Sequence, residues 1–459
     1  MFNDTICAIA TALSPSGISI IRVSGADALK IVDSIFVNQK KVHILSTVES
    51  HTISYGFLLN GEEIVDEVLV SYFKGPKSFT AEDTVEINCH GGIFVTNKIL
   101  EIVINAGARL AMPGEFTKRA FLNGRIDLSK AEAVMDIISS ESDISLKSSV
   151  TQLRGSVNNV VKSLREKLIY EVAYIESALD DPEHYSLDGY DEKLKDIIID
   201  INNSIKKLIS SYDNGRIIKD GIKTAIVGKP NAGKSSLLNL LAGFDRAIVT
   251  DIAGTTRDVI EEKIHLGDVN LLLADTAGIR NTDNVVEQIG VKKAYSYFED
   301  SDLIFYVVDS SVPMDDNDSE IISKLQNKKY IVIYNKTDLE ALVSLDELKN
   351  KVNSDNIINM SVLNETGLDS LITKINDMFV NKDIDFSNEV IITNLRQKQE
   401  LVNASLSLDN VINSIEMGMS EDFLSIDLMG AYQSLGTLIG EEMSDDLVNE
   451  IFSKFCMGK

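Results

Sequence analysis

Gly228-Lys229-Pro230-Asn231-Ala232-Gly233-Lys234-Ser235 is the stretch on which the reading of this chain turns. It fits G-x-x-x-x-G-K-[ST], and its surroundings are those the pattern needs. The apolar run Lys223 to Val227 reads as a strand before it. Ser236-Leu237-Leu238-Asn239-Leu240-Leu241 reads as a helix start after it. Backbone N–H groups of such a loop point at phosphate oxygens, and the helix N-terminus adds positive potential. Asn231, Ala232, Gly233, Lys234, Ser235 and Ser236 then line the phosphates of a nucleotide. Lys234 reaches the β- and γ-phosphates, and the Ser235 hydroxyl ligates Mg²⁺.

The base is specified further along. Asn335-Lys336-Thr337-Asp338 follows an apolar strand, Tyr330 to Tyr334. The Asp338 carboxylate can accept two hydrogen bonds from the N1–H and N2–H₂ edge of guanine. Adenine cannot donate that pair, and a buried acceptor left unpaired is costly. Between these motifs, after the strand Leu271 to Ala274, lies Asp275-Thr276-Ala277-Gly278. Asp275 would hold Mg²⁺ through water, and the Gly278 N–H would sense the γ-phosphate. Gly254-Thr255-Thr256-Arg257-Asp258 supplies Thr256 as a second Mg²⁺ ligand. Ser361-Val362-Leu363 would close over the base. Five elements in the order of a GTPase, each on the expected strand or loop, point to a GTP-binding domain.

Composition sets bounds on the rest. At 459 residues the chain is too long for one core. Its start has no basic region followed by an apolar stretch, so no secretory signal is expected. No run approaches a membrane span. Cys7, Cys89 and Cys456 are far apart and odd in number, which fits free thiols in a reducing cytoplasm. His43, His51, His90, His184 and His265 are scattered, so no zinc site is expected. The net charge of −26 disfavours an extended phosphate-tracking surface. If RNA is bound, a local basic patch or a partner must supply the contacts. Lys118-Arg119 with Arg125 is the best local patch, and on charge alone a solvated turn is the better reading of it.

The fold class expected is multidomain: an N-terminal α+β domain, a discontinuous α-helical domain, and an α/β P-loop GTPase domain inserted into it. The expected bounds are 1–119, 120–217, 218–381 and 382–459. The first segment reads as strands Gly17 to Val23, Thr52 to Leu59, Glu63 to Phe73 and Asp83 to Cys89, with helices Ala26 to Phe36 and Phe94 to Ala106. In Asp83 to Cys89, residues Val85, Ile87 and Cys89 alternate inward against Thr84, Glu86 and Asn88. Ser129-x-x-Glu132 reads as a capping box opening one long helical stretch. Asp181-Pro182 ends that stretch. A further helix spans about Leu194 to Tyr212, and helical patterning resumes after Asp383. Both ends of the inserted domain are tethered to one bundle, so a nucleotide-driven movement can pass to it.

The residue after Asp-x-x-Gly is Ile279, where many GTPases place a water-orienting glutamine. An aliphatic side chain cannot orient water. Three substitutes stand in the sequence. Arg257 or Arg280 can act as an arginine in cis. A monovalent cation can sit beside the phosphates, held by the Asn231 side-chain oxygen and by Thr250, Ile252 and Thr255 of the following loop. Glu287 can position water.

The whole chain resembles the MnmE (TrmE) family of bacterial tRNA-modifying GTPases. The matching stretches include Ile21-Arg22-Val23-Ser24-Gly25, Ser78 to Glu86, His90-Gly91-Gly92, Pro113 to Gly124, Gly228 to Ser236 and Thr250 to Asp258. The terminus Phe455-Cys456-Met457-Gly458-Lys459 matches as well. The resemblance implies a homodimer through the N-terminal domain. It implies a site there for a formylated tetrahydrofolate, with contacts at Arg22, Glu86, Arg125 and the tail Lys459. Cys456 matches a tail cysteine needed for modification. The resemblance favours K⁺ as the cation and Glu287 as the water-positioning group. It implies an FAD- and NADH-dependent partner, MnmG, in a heterotetramer or larger complex that modifies carbon 5 of the wobble uridine of certain tRNAs. The segment before the Arg22 strand, Ser14 to Ser19, has fewer glycines than the family pattern. Two other readings remain open at this point. One is a GTPase switch in ribosome assembly without folate chemistry. The other is a folate-dependent one-carbon transferase regulated by GTP.

Overall fold

The computed structural model describes residues 4–181, 184, 187, 189–244, 261–266, 269–274, 297–326, 328–379, 390–441, 443–455 and 458. The chain divides into two compact units. One comprises residues 1–139, 149–206 and 399–459; the other comprises 140–148 and 207–398.

The first unit opens with an α+β layer. Its strands are β1 (Ile6–Ile9), β2 (Ser19–Ser24), β3 (Phe36–Asn38), β4 (Thr52–Asn60), β5 (Glu63–Phe73), β6 (Thr84–Cys89) and β7 (Arg109–Leu110). They form one sheet in the order β3-β4-β5-β6-β2-β1-β7, antiparallel except for the β1–β7 pair. Helices α1 (Ala28–Ile35) and α2 (Ile93–Asn105) cover one face. Val32, Ile99 and Val103 pack there against Ile21, Val23, Val70 and Ile87. Alternation predicts Val85, Ile87 and Cys89 as the inward set of β6, and all three are buried. Thr84, expected on the outward face, is buried as well, and its hydroxyl finds that of Thr80 at 3.2 Å. On β4 only glycine fits at position 56: a Cβ there would stand 2.1 Å from the Val37 carbonyl oxygen.

The helical part begins with α3 (Glu115–Leu122) and α4 (Leu128–Ile138). The N-cap of α4 is Asp127, whose carboxylate accepts from the Lys130 N–H at 2.9 Å. This corrects the expected Ser129 cap. Ser129 lies inside the helix and its hydroxyl donates to Asp127 at 2.5 Å. An Asp two positions earlier offers a stronger, charged acceptor to the same orphan amides. The single long stretch is also corrected. It breaks into α4, α5 (Asp143–Leu153) and α6 (Ser156–Asp180), with Gly155 in a left-handed conformation just before α6. The buried face of α6 recurs at helical spacing (Val161, Leu164, Leu168, Val172, Ile175) and packs on α13 (Glu421–Ile439). Helix α7 (Tyr190–Asp220) is longer at both ends than its apolar pattern predicts. Its Ile198, Ile201 and Ile205 are buried, as are Leu401, Leu408 and Val411 of α12 (Leu395–Glu416). Asn202 of α7 donates to Asp409 of α12 at 2.7 Å. Helix α14 (Asp445–Ser453) brings Phe452 to Phe121 of α3, ring centroids 5.8 Å apart.

The second unit is doubly wound. Its strands are β8 (Ile222–Val227), β9 (Glu261–Leu266), β10 (Val269–Ala274), β11 (Leu303–Asp309), β12 (Tyr330–Asn335) and β13 (Ile357–Asn359). They run β13-β12-β11-β8-β10-β9, all parallel except β9. Every residue of β11 is buried, as befits a central parallel strand covered on both faces. Helices α8 (Lys234–Phe244) and α11 (Leu368–Phe379) pack on one face. Helices α9 (Asp316–Leu325) and α10 (Leu345–Lys349) contribute to the core on the other. Residues 140–148 belong to this unit: the Glu141 carboxylate lies 2.6 Å from Lys263 Nζ of β9 and accepts from Asn270 of β10 at 3.3 Å.

Candidate functional site

In a parallel sheet, ligands bind beyond the carboxyl ends of the strands. The motif residues of the second unit follow those ends. The phosphate loop leaves β8 after Val227, Asp309 ends β11, and Asn335 ends β12. The loop can turn tightly because Gly228 (φ 149°), Asn231 (φ 63°) and Gly233 (φ 105°) take backbone conformations with positive φ. A Cβ on Gly228 would meet the Val307 oxygen at 2.3 Å, and one on Gly233 would meet Asn335 Nδ2 at 2.2 Å.

Lys234 starts α8, two residues before the predicted helix start. Its ammonium donates to the Gly228 carbonyl at 2.7 Å and to the Lys229 carbonyl at 2.5 Å. Burial pulls its pKa below the ordinary lysine value. Among the described residues its partners are neutral oxygens, so this half-buried cation suits an incoming phosphate. The glycine cradle and this lysine together fit a nucleotide di- or triphosphate.

The base motif is wired to the phosphate loop. Asn335 Nδ2 donates to the Ala232 carbonyl at 2.9 Å, and its Oδ1 accepts from the Val362 N–H at 3.1 Å. Ser361 Oγ donates to Asp338 Oδ1 at 2.5 Å, and Ser361 pairs with Thr366 through the backbone. Asp338 is exposed at the sheet end, where a base can reach it. Lys336, at φ 62°, donates to Asp309 Oδ2 at 2.5 Å. Burial works against a charged Asp309, yet hydrogen bonds from Lys336 and Ser311 hold its carboxyl below the ordinary range. The bridging role of Asn335 and the Asp309–Lys336 pair have no signature in the motif spacing.

The structure thus brings Asn231, Ala232, Gly233, Lys234, Ser235 and Ser236 together with Asn335, Lys336, Asp338 and Ser361 at one end of the sheet. Thr250, Ile252, Thr255, Thr256, Asp275, Thr276, Ala277, Gly278 and Glu287 lie outside the described residues, as do Arg257 and Arg280.

A second constellation lies in the first unit. Arg22 of β2 and Glu86 of β6 face each other in register, and Arg22 Nε donates to Glu86 at 2.8 Å. The Arg22 guanidinium carbon stands 5.4 Å from the Phe79 ring centroid and 5.7 Å from that of Phe116. Arg125 stands 5.2 Å from the Phe79 ring. The Gly458 carbonyl accepts from Arg22 at 3.4 Å, and Gly458 (φ 85°) packs against the Ile9 backbone. Arg22, Glu86 and Arg125 therefore converge around an aromatic ring to which the sequence analysis assigns no role. Cys456 and Lys459 lie outside the described residues. Two guanidiniums, a carboxylate and flanking rings fit a planar heterocycle that also carries carboxylate groups, as a folate does.

The basic patch is corrected. Arg119 is fully buried and pairs with Asp4 at 2.8 Å, Glu115 at 3.1 Å and Glu82 at 3.2 Å. A guanidinium caged by three carboxylates cannot contact RNA. Cys7 and Cys89 are free and buried, and burial pushes their thiols up to about 12 and about 11. No helix among the described residues is long and apolar enough to cross a membrane. Among them, no group of three His, Cys, Asp or Glu side chains could hold a metal ion.

Comparison with known proteins bears on the same residues. The model of the MnmE helical domain matches residues 128–456, and that of the GTP-binding protein TrmE N-terminus matches residues 5–125. The tRNA modification GTPase MnmE of Lachnoclostridium phytofermentans is 52% identical over 459 residues, covering 100% of both chains. Those of Acetivibrio thermocellus and Ligilactobacillus salivarius are each 44% identical, over 100% and 99% of this chain and 99% and 98% of theirs. Among solved structures, Aquifex aeolicus Era bound to GDP and AlF4− is 27% identical over 40% of this chain and 65% of that one, with a TM-score of 0.27. With a phosphate loop and a guanine motif at the ends of a parallel sheet, and relatives matched from end to end, the chain belongs to the MnmE/TrmE family of tRNA modification GTPases.

Proposed function

We propose that this GTPase is stimulated by K⁺ and works with an FAD-dependent, MnmG-like partner on carbon 5 of the wobble uridine of certain tRNAs, drawing a one-carbon unit from a formylated tetrahydrofolate. The chain works as a cytoplasmic homodimer paired through residues 1–119. The helical domain (120–217 and 382–459) carries movements of the GTPase domain (218–381). The tRNA is held jointly with the partner in a heterotetramer or larger complex, in keeping with a net charge of −26 and a buried Arg119.

In the GTPase reaction Asp338 reads the guanine edge, and Asn335 ties the base motif to the phosphate loop. Lys234 stays held by its loop carbonyls and turns its remaining N–H to the β- and γ-phosphates. Ser235 and Thr256 hold Mg²⁺. Asn231, Thr250, Ile252 and Thr255 hold K⁺. Asp275, Thr276, Ala277 and Gly278 follow the γ-phosphate. Glu287 orients the attacking water. When bound, the two cations supply positive charge against the phosphates. What supports the cation reading is Asn231 itself, exposed and at φ 63° in the loop. Cys456 and Lys459 belong to the folate side, with Cys456 required for modification.

The observation that carries the folate reading is the meeting of Arg22, Glu86, Arg125 and the Gly458 carbonyl around Phe79. Glu86, with Arg22 bonded to it, accepts from the pterin edge, and Arg125 and the tail Lys459 are the cations for the folate glutamate carboxylates. Calorimetric titration with 5-formyltetrahydrofolate tests this. Arg22→Ala or Arg125→Ala is expected to weaken binding by about tenfold or more, with GTP hydrolysis retained. Wild-type affinity in both variants would remove the site from this place.

A further inference from the structure

The phosphate loop carries a second lysine. Lys229 Nζ lies 2.6 Å from Asp318 and 3.2 Å from Asp315, and donates to the Pro313 carbonyl at 3.0 Å. Asp315 is the N-cap of α9 and Asp318 is its third residue, and the two form a reciprocal capping box. On its other oxygen Asp318 accepts from the Tyr306 hydroxyl at 2.7 Å. Tyr306 belongs to β11, beside the β8 strand that feeds the loop, and is fully buried. Asp318 is 1% exposed.

A carboxylate buried this deeply is expensive unless paired and fully hydrogen-bonded. Asp318 meets that condition through Tyr306, Lys229 and the Asp315 N–H at 2.9 Å. A capping box alone needs neither the tyrosine nor the lysine. What the extra partners fix is Lys229, and the Lys229 carbonyl is one of the two oxygens holding the Lys234 ammonium.

We propose that Tyr306, Asp318 and Lys229 form a positioning relay for GTP hydrolysis: anchored in the sheet, they hold the Lys229 carbonyl and through it set the Lys234 ammonium where the phosphates arrive. Neutralising Lys229 also leaves Lys234 as the one loop lysine free to meet them. Burial works against charge on Lys229, yet the bonds from Asp318 and Asp315 hold its pKa above the ordinary lysine value. The relay acts on nucleotide binding and does not depend on potassium or folate.

The test is steady-state GTP hydrolysis by the full chain, with KM and kcat separated, together with release of mant-GDP and thermal melting. Asp318→Asn and Lys229→Met are each expected to raise KM about tenfold and to speed mant-GDP release. Their kcat should stay within about twofold, the pattern of lost ground-state binding. The double variant should be no worse than either single one, because both break the same chain of contacts. Lys229→Arg keeps the pairing and should restore KM. A Lys229→Met variant that folds and binds GTP normally would overturn the relay. So would an Asp318→Asn variant that melts earlier with an unchanged KM. An effect of Lys229→Met without one in a folded Asp318→Asn would place Lys229 directly on the nucleotide and also overturn it. If Asp318→Asn does not fold, the contrast between Lys229→Met and Lys229→Arg decides.

Discussion

Asn335 makes hydrogen bonds in two directions, to the Ala232 carbonyl and from the Val362 amide. One side chain thereby locks the phosphate loop, the base motif and the base-closing loop to each other. Gly233 is the reason it fits, since any Cβ there would occupy the place of Asn335 Nδ2. Gly233→Ala is therefore expected to weaken mant-GDP binding by about a hundredfold, through overlap and a backbone at φ 105° that alanine resists. Fluorescence titration checks this, and Gly243→Ala, which meets open space inside α8, is the matched control. The motif residues were legible in the sequence because phosphate and guanine chemistry dictates their types and spacing. Phe79, Asp318 and Tyr306 were not, because their roles come from contacts between elements that carry no spacing rule.

At the scale of elements, the strands that were read were bounded closely and helix ends less so, while β1, β3, β7, β9, β11 and β13 were not read. The expected bounds match β5 to the residue, and period-two alternation marks β6 to within one residue. The apolar stripe from Val134 to Ile169 hides two breaks, because α4, α5 and α6 all bury one face and a stripe does not show where the chain turns. Cap chemistry does show it: Asp127 and Gly155 mark two of the starts. Helix α3 carries the clearest electrostatic load. Burial would raise the Glu115 pKa, but hydrogen bonds from Arg109, the Met112 amide and Arg119 outweigh it and hold the carboxyl below 4.5. A depressed carboxyl contributes stability that is present above its ordinary value and is lost as pH falls through its folded value. Glu115→Gln should therefore melt well below the wild type at pH 7, with the gap closing as pH drops below about 4. Melting curves across that range decide; a gap independent of pH would mean the cage of Arg109 and Arg119 acts by packing alone.

For the whole molecule, the GTPase unit is continuous from residue 207 to 398 and takes in residues 140–148 besides. The Glu141–Lys263 pair gives those residues a foothold on the β9–β10 hairpin, whose two ends lead into the Thr250 to Asp258 and Asp275 to Gly278 segments. Half-exposed ion pairs of this kind contribute little stability, so the foothold can be made and broken at small cost. Sequence alone read the inserted GTPase fold, since its motifs sit between two helical tracts. It had no means of assigning residues 140–148 to that unit, because the contact is long-range and polar. With Ile279 unable to orient water, the proposed mechanism makes hydrolysis depend on a cation held at Asn231. GTP hydrolysis by the purified chain in matched KCl and NaCl, over a range of protein concentrations, tests it most directly. The expected rate is at least about tenfold higher in KCl, rises with concentration, and loses its KCl preference in Asn231→Ala. Equal rates in the two salts would contradict it and return the role to Arg257 or Arg280.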